Sequence, residues 1–84
     1  MKVRAYTLSY CPWCKKTKKF LADHKVEVDC IDYDLVSEEE QKSILNEMRS
    51  KSKEGVAFPF VIIGDEAVVG YNPERYLELL GLKD

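Results

Sequence analysis

An 84-residue chain is long enough for one compact domain, here expected to run from 1 to 84, and for no second one. Its 45% hydrophobic content suits a small core that needs no cross-links. Thirteen basic against fifteen acidic residues leave a net charge of −2, which offers no global field for nucleic acid.

The chain alternates between strand-like and helix-like stretches. Residues 2–7 place Val3 and Ala5 on one side and continue into β-favouring Tyr6 and Thr7, the pattern of a strand. Two cysteines follow, Cys11 and Cys14. Residues 15–24 then show helical spacing, with Cys14, Thr17, Leu21 and His24 on one stripe and Phe20 beside it. Pro12 suits the first turn of that helix, where a missing N–H costs nothing. Residues 26–33 alternate again, and Cys30 shares a face with Val26 and Val28, so it is expected to be a buried, unpaired thiol.

Ser37-Glu38-Glu39-Glu40 is a capping box that opens a second helix, with Ile44, Leu45 and Met48 as its buried stripe. Residues 60–63 and 67–69 are short apolar runs joined by Gly64-Asp65-Glu66, the signature of a β-hairpin. Asn72-Pro73-Glu74 supplies a cap, a first-turn proline and a first-turn acid for a last helix, which Tyr76, Leu77 and Leu80 anchor and Gly81 ends. The order β-α-β-α-β-β-α predicts a four-stranded mixed sheet with three helices on its two faces.

Charge is unevenly distributed. Residues 1–26 carry seven bases (Lys2, Arg4, Lys15, Lys16, Lys18, Lys19, Lys25) and the single acid Asp23, whereas residues 27–40 carry seven acids and no base. Such runs ordinarily mark solvated faces; the sharper expectation is that the basic block raises the potential around the cysteines. The longest apolar run, residues 56–63, is broken by Pro59 and is far too short to span a membrane. The N-terminus has no apolar leader core, so the expected compartment is the cytoplasm.

The C-x-x-C pair has three readings: half of a zinc site, a structural disulfide, or a redox pair. Three cysteines make a poor disulfide framework, and a tetrahedral zinc site would have to recruit both Cys30 and His24. The redox reading fits best. Cys11 falls between a strand end and a helix start, where free N–H groups and the helix dipole stabilise a thiolate. Cys14, one turn in, is more enclosed and should remain a thiol. Cys11 is then the attacking sulfur and Cys14 the resolving one. Trp13 offers a flat apolar surface beside them, and Lys15 and Lys18 can add positive potential.

These residues resemble the glutaredoxin branch of the thioredoxin-like fold over nearly the whole chain. The carriers are Tyr6-Thr7, Cys11-Pro12-Trp13-Cys14-Lys15, Ile31-Asp32, Phe58-Pro59 and Val69-Gly70. The resemblance implies a thiol–disulfide oxidoreductase that needs no metal or organic cofactor. It also implies a cis Pro59 beside the cysteine pair, with the backbone of Phe58 receiving an incoming partner. The implied substrate surface comprises Pro12, Trp13, Phe58, Pro59, Val69, Gly70 and Tyr71. Leu8 stands where glutathione-using members usually carry lysine, and residues 69–75 lack their Gly-Gly turn and acidic clamp. The Gly-aromatic-x-Pro-Glu-Arg run looks like the NrdH-type redoxins. The expected partners are therefore disulfide-bearing proteins, together with a thioredoxin-reductase-type enzyme or a low-molecular-weight thiol as reductant. A glutathione-dependent glutaredoxin is the alternative, and a metal or iron–sulfur binding module a more distant one. A monomer is expected.

Overall fold

The computed structural model describes residues 3–52 and 55–82; Lys2, expected to begin the first strand, lies outside them. The chain forms β1 (Val3–Thr7), α1 (Pro12–Asp23), β2 (Asp29–Asp32), a 3-10 turn (Tyr33–Leu35), α2 (Glu38–Lys51), β3 (Phe60–Ile63), β4 (Glu66–Val69) and α3 (Pro73–Leu80). The strands build one mixed sheet in the order β2-β1-β3-β4. β1 is parallel to β2 and antiparallel to β3, and β3 is antiparallel to β4. This is the expected thioredoxin-like architecture of three helices on a four-stranded sheet.

β3 explains the layering. All four of its residues are buried, because a central strand covered on both faces needs apolar side chains at every position. Val61 and Ile63 join Val3, Ala5, Val68 and Tyr76 on one face, against Phe20 of α1 and Leu79 and Leu80 of α3. Phe60 and Ile62 point the other way and pack with Tyr6 against Ile44 and Met48 of α2. In α3 the packed residue next to Leu80 is Leu79, where Leu77 was expected, since Leu79 lies beside the buried Tyr76 stripe.

Local chemistry sets the element ends. Pro12 occupies the first turn of α1 as expected. The Ser37 hydroxyl accepts from the Glu40 amide at 3.3 Å, and Asn72 accepts from the Arg75 amide at 3.2 Å, each satisfying a helix donor with no internal partner. Gly81 closes α3 with φ of 71°, a left-handed value that costs glycine nothing.

The end of α1 is less ordinary. The amide of Lys25 bonds to the Ala22 carbonyl at 3.0 Å, and the amide of Val26 to the Leu21 carbonyl at 2.9 Å, the paired bonds of a Schellman cap. Lys25 adopts φ of 57° where glycine is usual. This cap overturns part of the expected second strand. Residues 26–28 leave the helix and lay Val26 and Val28 onto the core, and strand pairing begins only at Asp29. Cys30 consequently lies exposed on the outer strand, not buried as expected, because β2 is an edge of the sheet, while its neighbour Ile31 packs against Ile44 and Met48 of α2.

Candidate functional site

β1 delivers the chain to the C-terminal end of the sheet, where residues 8–11 turn into α1. Cys11 is the N-cap residue of that helix, with extended φ and ψ of −91° and 119°. Its carbonyl accepts the first helical bond, from the Lys15 amide at 3.1 Å, and its own amide donates to the Leu8 carbonyl at 3.2 Å. Its sulfur therefore occupies the place of a capping side chain, and Cys11 Sγ accepts from the Cys14 amide at 3.4 Å. Cys14, one turn later, is fully buried on the core-facing stripe with Thr17 and Leu21. Its Sγ accepts from the Leu8 amide at 3.4 Å.

These surroundings push the two thiols in opposite directions. Partial desolvation tends to raise the Cys11 pKa. The Cys14 thiol and the backbone N–H groups of Cys14 and Trp13, all stabilising a sulfur anion, outweigh it and lower the value. Burial pushes Cys14 up to about 11, only partly countered by the Leu8 amide and the Lys18 charge. The expected positive potential of the basic block reaches the pair through Lys18, which acts on Cys14, while hydrogen bonds from Cys14 and Trp13 account for the lowering at Cys11. Lys18 reaches across to Asp32 at 2.9 Å. Its charge is engaged there, and its influence falls on Cys14 instead.

Two contacts fix this end of β1. The buried Thr7 hydroxyl donates to Asp32 at the end of β2, and the Ser9 amide donates to Asp34 at 2.9 Å, reinforced by the Ser9 hydroxyl. Asp32 is held below the usual carboxylate range chiefly by the Thr7 and Lys18 hydrogen bonds. The sequence carries Asp32 within a motif and Asp34 only as part of an acidic run, and their pairing with Thr7 and Ser9 becomes visible only when β2 pairs with β1.

The C-terminal half faces this loop with a different surface. The Phe58–Pro59 peptide is cis, as the resemblance implied. The Gly70 amide donates to the Pro59 carbonyl at 2.8 Å, and the buried Tyr76 hydroxyl donates to the Gly70 carbonyl at 2.6 Å. Trp13, Phe58, Pro59, Gly70 and Tyr71 together line an open groove of about 260 Å³. The rings of Trp13 and Tyr71 lie 5.9 Å apart, and Lys16 Nζ sits 4.4 Å from the Trp13 ring centre. Of the remaining residues assigned to this surface, Pro12 is exposed at the helix tip and Val69 packs in the cluster that holds Ile44 and Met48 of α2. Phe58 lines the groove while also stacking on Tyr33 at 5.2 Å.

His24 caps α1 and rests on Phe20, with ring centres 4.2 Å apart and Nδ1 2.9 Å from the Phe20 carbonyl. Among the described residues, no three or more His, Cys, Asp or Glu side chains converge to hold a metal ion. All three cysteines are free thiols.

A half-buried Cys11 thiol with lowered pKa at a helix tip, a buried Cys14 thiol one turn behind it and an apolar groove alongside sit together on a thioredoxin-like scaffold. Residues 3–68 match the glutaredoxin family model, and the chain belongs to that family. It is 33% identical over 78 residues to an uncharacterized glutaredoxin-like 8.6 kDa protein in the rubredoxin operon of Clostridium pasteurianum, covering 93% of this chain and 96% of that one. The structure is similar to the glutaredoxin of Methanosarcina mazei Go1, with a TM-score of 0.89 and 40% identity over 96% of this chain and 79% of that one. The NrdH-redoxin of Escherichia coli shares the fold at a TM-score of 0.71 and 24% identity, covering 100% of this chain and 97% of that one. Family and fold support a thiol redox function. Among the described residues, no helix is long and apolar enough to cross a membrane.

Proposed function

We propose that this chain is a dithiol thiol–disulfide oxidoreductase that carries electrons to protein disulfides through Cys11 and Cys14. The observation that carries the reading is the opposed tuning of the two sulfurs: Cys11 is reachable and lowered, Cys14 is buried and raised. The Cys11 thiolate attacks one sulfur of a substrate disulfide, forming a mixed disulfide, and the other substrate sulfur departs as a thiolate and takes up a proton. Cys14 then loses its proton and attacks Cys11 Sγ. The Cys11–Cys14 bond forms, the mixed disulfide breaks, and the second substrate sulfur leaves as a thiol. The substrate has gained two electrons and two protons, and the chain returns to the dithiol when a reductant delivers the same.

The Leu8 amide suits the resolving step. It donates to Cys14 Sγ, so it favours the thiolate at the moment Cys14 must attack. A monomer in a reducing cytoplasm is the setting in which such a pair cycles. For the reductant, Leu8 and the Val69-Gly70-Tyr71-Asn72 turn argue for a thioredoxin-reductase-type enzyme or a small thiol other than glutathione. The match to the glutaredoxin model favours glutathione as the second reading. Two measurements test this. Thiol counting in denaturant should give three in the reduced chain and one after mild oxidation, and a count of three in both states sinks the dithiol reading. Offering each reductant to the oxidised chain at matched concentration, with Trp13 fluorescence as readout, decides the electron source. Rapid, saturable reduction by glutathione alone promotes the second reading.

A further inference from the structure

The charges around the cysteine pair are not evenly satisfied. The two acids that β2 and its turn bring to this end are already engaged, Asp32 by Thr7 and Lys18 and Asp34 by Ser9. Across the groove, Arg75 is shared between Glu78 at 2.6 Å and Glu66 at 3.9 Å. Lys15, Lys16 and Lys19, all exposed on α1, have no carboxylate within 4.0 Å among the described residues.

Helical geometry ties Lys16 and Lys19 to the groove, while Lys15 lies further round the exposed face of α1. Trp13, Lys16 and Phe20 follow one another at three- and four-residue spacing, so Lys16 lies on the edge that faces Tyr71, and Lys19 lies one turn beyond it. The contacts agree: Lys16 covers the Trp13 ring, and Phe20 meets Tyr71 with ring centres 6.4 Å apart. An aromatic groove thus continues into a strip of uncompensated positive charge.

We infer that the groove and the lysine strip of α1 form one docking surface for an acidic, disulfide-bearing protein segment. An apolar side chain beside the substrate cysteine rests against Trp13 and Tyr71, and carboxylates further along the segment lie over Lys16 and Lys19. Charge complementarity chooses the occupant, since a basic segment would meet the cations of Lys16 and Lys19 and a neutral one would gain only the groove. The inference rests on the redox reading above, because it specifies which disulfides that centre would favour.

The test uses the reduced full chain and three disulfide-bridged peptide dimers of equal length, their cysteines flanked by Glu, Gln or Lys. Single-turnover reduction is followed by Trp13 fluorescence. The Glu peptide should react about tenfold faster than the Gln peptide at low ionic strength, with the Lys peptide slowest, and the spread should close in high salt. In the triple variant Lys15→Gln, Lys16→Gln, Lys19→Gln, whose substitutions preserve helix propensity, the Glu-to-Gln rate ratio should fall to about one. Equal rates for the three peptides in the wild type, or an unchanged ratio in the triple variant, overturn the inference while leaving the redox reading in place. If no peptide is reduced, the redox reading itself fails. A thioether analogue of the Glu peptide then decides the docking surface: saturable binding that weakens in the triple variant supports it, and absent binding overturns it. Glutathione disulfide is the last arm, and if it matches the Glu peptide in rate and in sensitivity to the variant, the choice of a protein segment is wrong.

Discussion

The β1–α1 unit and the β3–β4–α3 unit meet at the same end of the sheet but contribute by different routes. In the first, the reactive groups lie within a few residues of one another, and local backbone geometry tunes them: the helix cap, the Leu8 amide and one turn of helix. In the second, no group is reactive. The groove wall is held by a relay from the buried Tyr76 through Gly70 to Pro59, anchored in the core. The difference teaches that the two sulfurs are tuned within one short segment, while the groove wall facing them is held in place by the packed fold. Each can therefore be damaged without the other.

The largest effect should come from the first unit. Cys11→Ser is expected to reduce disulfide reduction to background, while Cys14→Ser should accumulate a covalent adduct with substrate, read directly as a mass increase. The reverse pattern would invert the assignment of attacking and resolving sulfurs. Next comes alkylation of the intact dithiol. With Cys11 lowered and Cys14 at about 11, Cys11 should be modified at least about tenfold faster at neutral pH, its larger thiolate fraction being partly offset by the weaker nucleophilicity of a lower-pKa thiolate. Cys11 should stay reactive as pH falls below the ordinary thiol range. Equal labelling by peptide mapping would remove the difference on which the comparison rests.

The second unit should respond in stability before chemistry. Gly70 has φ of 84°, and an added Cβ would meet nothing within 4 Å, so Gly70→Ala tests backbone conformation free of steric clash. A cost of about 1–2 kcal/mol is expected in denaturant unfolding, with Cys11 alkylation unchanged. Tyr76→Phe removes the hydroxyl that satisfies the Gly70 carbonyl and should cost about 1 kcal/mol, again without altering Cys11 reactivity. A slowed Cys11 in either variant would mean that the two routes are joined.

The smallest effect falls on the seam between β1 and β2. The folded-state pKa of Asp32 is depressed, so its contribution is present above the unfolded carboxylate value and is lost as pH falls through the folded one. The wild type should exceed Asp32→Asn by a few tenths of a kcal/mol near neutrality, and the gap should close in acid. A gap that widens in acid would contradict the assigned ionisation.

The same division explains what could be read from the sequence. Pro12, Ser37, Asn72-Pro73 and Gly81 act within a turn of where they stand, so the helices were legible, as were the two sulfurs whose environment is mostly their own helix. The apolar run of β3 announced one arm of a hairpin, and its burial on both faces follows from the central place the fold gives it. Cys30 was misread because residues 26–30 alternate like one strand, and nothing local shows that a lysine, not a glycine, closes α1 with a Schellman cap and delays the pairing. The groove was foreseeable only through family resemblance, since Trp13 meets Tyr71 across the whole fold. The strip of unpaired lysines was visible as composition. Which of its members are engaged, as Lys18 is, depends on where Asp32 comes to rest.

The register of the β3–β4 hairpin has a practical side. Phe60 pairs with both Tyr6 and Val69 at the cysteine end, whereas the exposed Gly64–Asp65 tip lies past Ile63, at the opposite end of the strands. Four strand residues put roughly 10 Å of sheet between the groove and that tip. A fluorophore, an affinity handle or a tether to an electrode grafted between Gly64 and Asp65 would therefore point away from docking partners. The protein could be immobilised there with its reactive end facing solution.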